Sequence, residues 1–297
     1  MDVSSLLQHL ANGLTLGSLY ALIAIGYTMV YGILRFINFA HGDIFMLGAF
    51  FAFYGVTFLK LPWLISAVLS VLLVPVVGVL VERVAYRPLR NAPRISVLIS
   101  AIGVSFFLEN LGLVLFSGIP KAFPTPRALS GVVVLGDVRV PVLAFLVPAI
   151  SVLLMVGLLY VVYRTKPGLA MRAISKDIEA TRLMGVRIDR VISLTFALGS
   201  GLAAAGGIMW ALRYPQIHPL MGILPGLKAF IAAVFGGVGS IQGAMLGGFV
   251  LGLLEIMIIA FLPGFSGYRD AVAFVILIAV LLFKPTGLLG ERLEEKV

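Results

Sequence analysis

The chain has 297 residues, 61% of them hydrophobic and 12% charged, with a formal net charge of +9, three histidines and no cysteine. A soluble domain carries about 25% charged residues, so an ordinary water-soluble fold is excluded. The missing cysteine removes disulfide frameworks, thiolate nucleophiles and cysteine metal sites, and His9, His41 and His218 are too scattered for a metal centre. The positive charge does not point to nucleic acid, because no basic run carries the interleaved aromatics of a stacking surface.

Crossing a hydrocarbon core of roughly 30 Å takes about 20 residues of helix. Apolar runs on that scale fall at residues 10–34, 44–59, 63–81, 95–117, 140–162, 191–212, 228–262 and 271–283. They predict an all-α, polytopic transmembrane helical bundle of about eight spans, forming one domain over 1–297. The first basic residue is Arg35, so the positive leader of a cleavable signal is missing and the first run is expected to remain as a span. The first and seventh runs are long enough to be tilted or broken. Pro75 and Pro148 fall inside runs, where neighbouring helices in lipid re-satisfy the freed carbonyls.

Polar residues inside the runs are costly and mark either a pathway or an internal pair. Asn38, His41 and Asp43 cluster where the first run gives way to the second. Glu109 and Asn110 sit in the fourth, and Gln242 and Glu255 in the seventh. These seven are the candidate lining of a translocation path. For each, a structural hydrogen bond or a side chain snorkelling to the interface is the competing reading.

Residues 118–140 form a long connection with a proline-rich first part and β-branched residues around Gly136-Asp137, a two-residue hairpin signal. It is either a small extracytoplasmic cap or a stiff connector.

The most informative stretch is 163–190, with seven Lys/Arg against three Asp/Glu between two apolar runs. Pro167-Gly168 breaks the preceding span. Ser175 is placed to cap a short helix, with Asp177 and Glu179 in its first turn, Arg182 in its last and Gly185 at its end, the charge order that a helix dipole favours. Ile178, Ala180, Leu183 and Met184 give it an apolar side. Such a helix either lies on the lipid surface or docks into a groove on a cytosolic partner.

Orientation follows from the basic residues. With 163–190 in the cytosol, fifteen Lys/Arg fall inside and seven outside (Lys60, Lys121, Arg127, Arg139, Arg213, Lys228 and Arg269). The N-terminus is then outside. The C-terminus is inside only if 228–262 enters and returns to one face. Gly236, Gly237, Gly239 and Gly243 fall in mid-run, and each interior glycine costs a helix up to about 1 kcal/mol relative to alanine. They predict an unwound, re-entrant turn, a hinge held at membrane depth by surrounding protein.

Small residues recur four apart at Gly13/Gly17, Gly199/Ala203/Gly207, Gly243/Gly247 and Gly248/Gly252, as in close helix packing in lipid. The stretch GGVGSIQG lacks the Gly-Lys-Ser/Thr of a phosphate loop, so any ATP belongs on another subunit. Leu198-Gly199-Ser200-Gly201 lacks the neighbouring base that a serine nucleophile needs. The sequence therefore predicts no enzyme, no metal and no cofactor in this chain.

Residues 13–50, GLTLGSLYALIAIGYTMVYGILRFINFAHGDIFMLGAF, closely resemble the opening of the permease subunits of branched-chain amino acid ATP-binding-cassette importers, nearer the shorter of the two sister permeases. Residues 168–209, from GLAMRAISKDIEATRLMGVRIDR onward, resemble that family's coupling region, and FGGVGSIQGAMLGG and KPTGLLG resemble its later motifs. The resemblance implies a multi-pass protein of the bacterial inner membrane, set among lipid. Its partners would be a sister permease, two cytosolic ATPase subunits that bind the ATP, and an extracytoplasmic substrate-binding protein. It assigns Ser175–Gly185 as the coupling helix. Family members also carry urea and short amides. A stand-alone facilitator is the competing class, and it would have no use for the cytosolic helix.

Overall fold

The computed structural model describes residues 3–135 and 138–290. Eleven α-helices follow in order among them: α1 (Val3–Leu34), α2 (His41–Thr57), α3 (Trp63–Val81), α4 (Arg94–Phe116), α5 (Leu143–Arg164), α6 (Lys166–Lys176), α7 (Ile178–Leu183), α8 (Ile188–Arg213), α9 (Ile223–Gly236), α10 (Ile241–Phe261) and α11 (Arg269–Phe283). Seven helical stretches among the described residues are long and apolar enough to cross a membrane, the last being Ser266–Phe283, which contains α11. The prediction of eight spans therefore becomes seven such stretches with α2, of 17 residues, and α9, of 14, besides them, because the run 228–262 is divided. The first run is one unbroken helix of 32 residues. Prolines 75 and 148 sit inside α3 and α5 as expected.

One end of the bundle carries the arginine-rich loops. There Arg35 Nη2 donates to the Ser175 carbonyl at 3.0 Å. At the other end Arg213 Nη2 donates to Asn12 Oδ1 at 3.0 Å, joining the end of α8 to the start of α1. Apart from the short α6 and α7, which stay at the basic end, successive helices alternate between these ends. The α9–α10 turn lies at the basic end, against the chain just past α11: Leu288 and Leu289 donate their backbone N–H groups to Phe235 and Gly236 at 2.9 and 2.8 Å. The run 228–262 thus goes in and comes back, and the chain past α11 lies at the basic end.

The helices repeat an arrangement. α1 packs on α10 and α9, while α8 packs on α3 and α2. α2 packs on α3 as α9 packs on α10, and α2 touches α4 as α9 touches α11. Exchanging α1–α4 for α8–α11 leaves these contacts unchanged. Since α1 and α8 run in opposite directions, the halves form an inverted repeat, an arrangement that places transporter sites at the repeat interface near the bilayer midplane. The predicted small-residue pairs make the seams. A Cβ on Gly17 would stand 2.8 Å from Phe249 Cα, and Gly248 and Gly252 of α10 face Ala21 and Gly17 of α1.

At the end opposite the arginine-rich loops, β2 (Val132–Leu135) pairs antiparallel with β3 (Val138–Pro141). The turn expected at Gly136-Asp137 lies outside the described residues. A second pairing joins β1 (Lys121–Ala122) to β4 (Gln216–Ile217), tying this loop to the segment that follows α8.

Candidate translocation site and coupling segment

Two half-helices begin inside the bundle. After α1 the chain turns back at 35–40, so that α2 starts with the His41 ring edge-on to Tyr27, 4.8 Å between centroids. Gly26 leaves room for that imidazole. After α8 the chain again turns back, through 214–222, so that α9 starts beside α2. A Cβ on Gly42 would lie 2.7 Å from the Gly222 carbonyl oxygen, so the two starts touch. Each turns the positive end of its dipole toward the other, while His41, Asp43, Ile44, Ile223 and Gly226 donate their own N–H groups to nearby carbonyls.

Where they meet is a cleft of about 110 Å³ lined by Tyr27, Phe39, Asp43, Ser105, Glu109 and the Gly42 and Gly222 backbones. Asp43 is 3% exposed and its Oδ2 accepts from Ser105 Oγ at 2.6 Å. Positive helix starts favour a carboxylate, and Asp43 and Glu109 favour an ammonium. The cleft thus offers complementary groups to both ends of a zwitterion. Below it, buried Asn38 accepts from the Tyr86 hydroxyl at 2.6 Å.

Of the seven predicted lining residues, Asp43 and Glu109 reach the cleft, and Asn38 and His41 are buried beside it. Asn110 does not: it is exposed on α4 and closes on its own helix through Phe106 O, 2.7 Å away. Gln242 is exposed in the first turn of α10. Glu255 stands apart, 2.9 Å from Lys228 Nζ, and Lys228 also reaches Asp270 at 2.6 Å. Lys228, counted above among the outer loop charges, is therefore an interior residue, pulled in by two carboxylates.

The coupling segment holds two helices rather than one. The Thr165 hydroxyl caps α6, accepting from Gly168 N at 3.3 Å. Ser175 is not the cap of the next helix; it lies in the last turn of α6 and its Oγ donates to Arg172 O. Asp177 is the cap of α7, accepting from Ala180 N at 2.9 Å, because only there does the backbone leave the helix. Gly185 follows with φ +80°. The apolar side is split. Ile178 and Arg182 line a cavity of about 390 Å³ together with Arg35 and Tyr86, while Leu183 and Met184 are 88% and 84% exposed. Glu179 and Ala180 are exposed as well.

In the glycine turn, Gly237 and Gly239 have φ of +115° and +93°, a region other residues avoid. The Ser240 hydroxyl caps α10 by accepting from Gly243 N, and Gly236 and Gly243 pack backbone to backbone. The segment 284–290 supplies the N–H groups for the last carbonyls of α9.

Sequence reasoning missed Tyr86, Ser105 and Lys228, and a network at the basic end. There fully buried Glu82 accepts from Arg87 at 3.1 Å, from Ser193 at 2.8 Å and from Arg90, which also pairs with Asp189. Glu82 opens a turn of π-helix, Glu82–Tyr86, a distortion frequent at functional sites. The available signal was one acid among four arginines at the end of an apolar run.

The model for the family described as branched-chain amino acid transport system / permease component matches residues 9–281. A high-affinity branched-chain amino acid transport system permease protein of Pseudomonas aeruginosa is 45% identical over 100% of this chain and 99% of its own length. Its counterpart in Escherichia coli K12 is 41% identical over 98% and 97%. A probable branched-chain amino acid transport permease of Methanocaldococcus jannaschii is 30% identical over 92% and 89%.

Proposed function

The chain belongs to the family of permease components of branched-chain amino acid transport systems, and from that premise we propose that it carries leucine, isoleucine or valine across a bacterial inner membrane as one subunit of an ATP-driven importer. The observation that carries this reading is the cleft between the starts of α2 and α9, where two helix starts and two carboxylates surround a space lined by Tyr27 and Phe39. The partners are a sister permease, two cytosolic ATPases and an extracytoplasmic binding protein, with lipid around the bundle. ATP is bound and hydrolysed on the ATPases.

α7 supports the coupling role. It is short, capped by Asp177, and leaves Leu183 and Met184 exposed at the basic end. Its other side touches the cavity beneath Tyr86. Closure of the ATPases would move it as a rigid body and transmit the motion to the spans.

The test is uptake of radiolabelled leucine by the complete complex in vesicles. Asp43→Asn keeps the shape and removes the charge that would face the ammonium. Uptake should fall at least about tenfold, a loss of about 1.4 kcal/mol, with the complex still assembled. Unchanged uptake would remove Asp43 from the path. Uptake of urea but not leucine, or leucine movement by the permease without ATP, would overturn the assignment.

A further inference from the structure

The cavity of about 390 Å³ at the basic end carries an unbalanced charge. Arg35, Arg90, Arg94 and Arg182 line it, and no carboxylate does. Arg90 is already balanced, because with Arg87 it forms a neutral group with Glu82 and Asp189. The remaining arginines are not. Arg35, half-buried after α1, gives one bond to the Ser175 carbonyl at 3.0 Å. Arg94, first residue of α4, and Arg182, in α7, stand exposed at the rim. None of these is paired with an acid among the described residues. Arg90 Nε is buried and finds no acceptor there, and a buried donor left unpaired is costly. The wall therefore calls for an anion with several oxygens, and guanidinium groups match phosphate with paired hydrogen bonds.

The rest of the wall is apolar, with Leu34, Val97, Ile188 and Ile192, from which a small inorganic anion would gain nothing. The volume is more than twice the roughly 150 Å³ that holds a benzene, which leaves room for a phosphate with an organic head. Position points the same way. α4 has 23 residues and a length of about 34 Å, against a hydrocarbon core of roughly 30 Å, so its first turn lies at headgroup depth. From that turn Ile95, Ile99, Ile102 and Phe106 run along one outer face of α4, 69%, 64%, 39% and 61% exposed. A charged head in the cavity would thus stand at the top of an apolar track long enough for an acyl chain.

We propose that this cavity is a binding site for the phosphate headgroup of an anionic phospholipid, held by Arg35, Arg94 and Arg182. Basic pockets between spans on the cytoplasmic side suit such headgroups. The lipid would bridge the end of α1 and the start of α4 to α7, so the seat of that short helix would be built partly of lipid. The site stands apart from the solute reading, because occupancy does not depend on what is carried.

The absence of cysteine makes a local probe direct. Asn91, exposed on the cavity rim, is replaced in the complete complex as Asn91→Cys, and its alkylation by an uncharged maleimide is followed in delipidated detergent micelles. Titration with phosphatidylglycerol should slow the reaction severalfold, and phosphatidylcholine should not. Val134→Cys, on the hairpin at the other end, should react alike throughout. The phosphatidylglycerol needed for half protection should rise about fivefold with Arg35→Gln and about thirtyfold with Arg94→Gln plus Arg182→Gln, since each basic residue contributes about a factor of five. The two variants guard against misfolding of either. Equal rates with the two lipids, or protection unchanged by both variants in complexes that assemble, would overturn the site. Protection by inorganic phosphate as effective as by the lipid would overturn the lipid assignment in favour of a free anion. No alkylation with either lipid would show that an ATPase covers the cavity, and would overturn it too.

Discussion

Lys228 is the residue whose removal has the most calculable consequence. Its side chain is 6% exposed and that of Glu255 2%. At 2.9 Å and an effective dielectric of about 20, the pair attracts by about 6 kcal/mol before desolvation is subtracted. Lys228→Met deletes the cation and leaves Glu255 buried with only the Tyr20 hydroxyl as partner. Breaking one side of a buried pair costs about 3–5 kcal/mol. Glu255→Met is milder, because Lys228 keeps Asp270 at 2.6 Å; losing one charged hydrogen bond costs about 2 kcal/mol. In the double variant the orphaned carboxylate is gone. Asp270 is 39% exposed and has Arg269 at 3.5 Å, which leaves the Tyr20 hydroxyl as the main loss. The double variant should therefore be more stable than Lys228→Met alone, with a coupling energy of at least about 2 kcal/mol. Equilibrium unfolding of the purified permease in mixed detergent, read by tryptophan fluorescence, measures all four corners of the cycle. Additive losses would show that Lys228 and Glu255 are not energetically coupled.

Two further outcomes follow from the packing and the exposed face of α7. Gly17→Ala places a methyl 2.8 Å from Phe249 Cα and O, about 1 Å inside normal carbon contact, and should cost about 1–3 kcal/mol. Gly103→Ala, inside α4, meets nothing within 4 Å and should stabilise by up to about 1 kcal/mol; the same unfolding assay compares them, and equal losses would contradict the seam. Leu183→Asp, at a side chain with no packing role in the permease, should abolish co-purification of the ATPases while leaving the permease's unfolding midpoint unchanged.

The sequence alone determined the helical membrane class, the approximate ends of most helices, the break at Gly236–Gly243 and a short helix near 175–185. These are local properties. Apolar run length measures the bilayer, glycine and proline act on their own backbone, and basic residues resist translocation wherever they lie. The same local rules misassigned Ser175, because two hydroxyl or acidic candidates stand two residues apart and only the backbone path shows that the helix breaks at Asp177.

Only the tertiary structure decided the site. Asp43 and Glu109 belong to different helices, and the helix start that completes their cleft comes from Gly222, in a stretch with no polar motif. Nothing in sequence spacing brings them together; the inverted packing of α1–α4 on α8–α11 does. Lys228 looked like an outer loop charge and Glu255 like a lining group, yet each is the other's counter-ion, 27 residues apart. The physical reason is common to all of these. Burial of a charge in lipid is settled by its partner, and partners are fixed by how helices pack, which the periodicity of one helix does not encode.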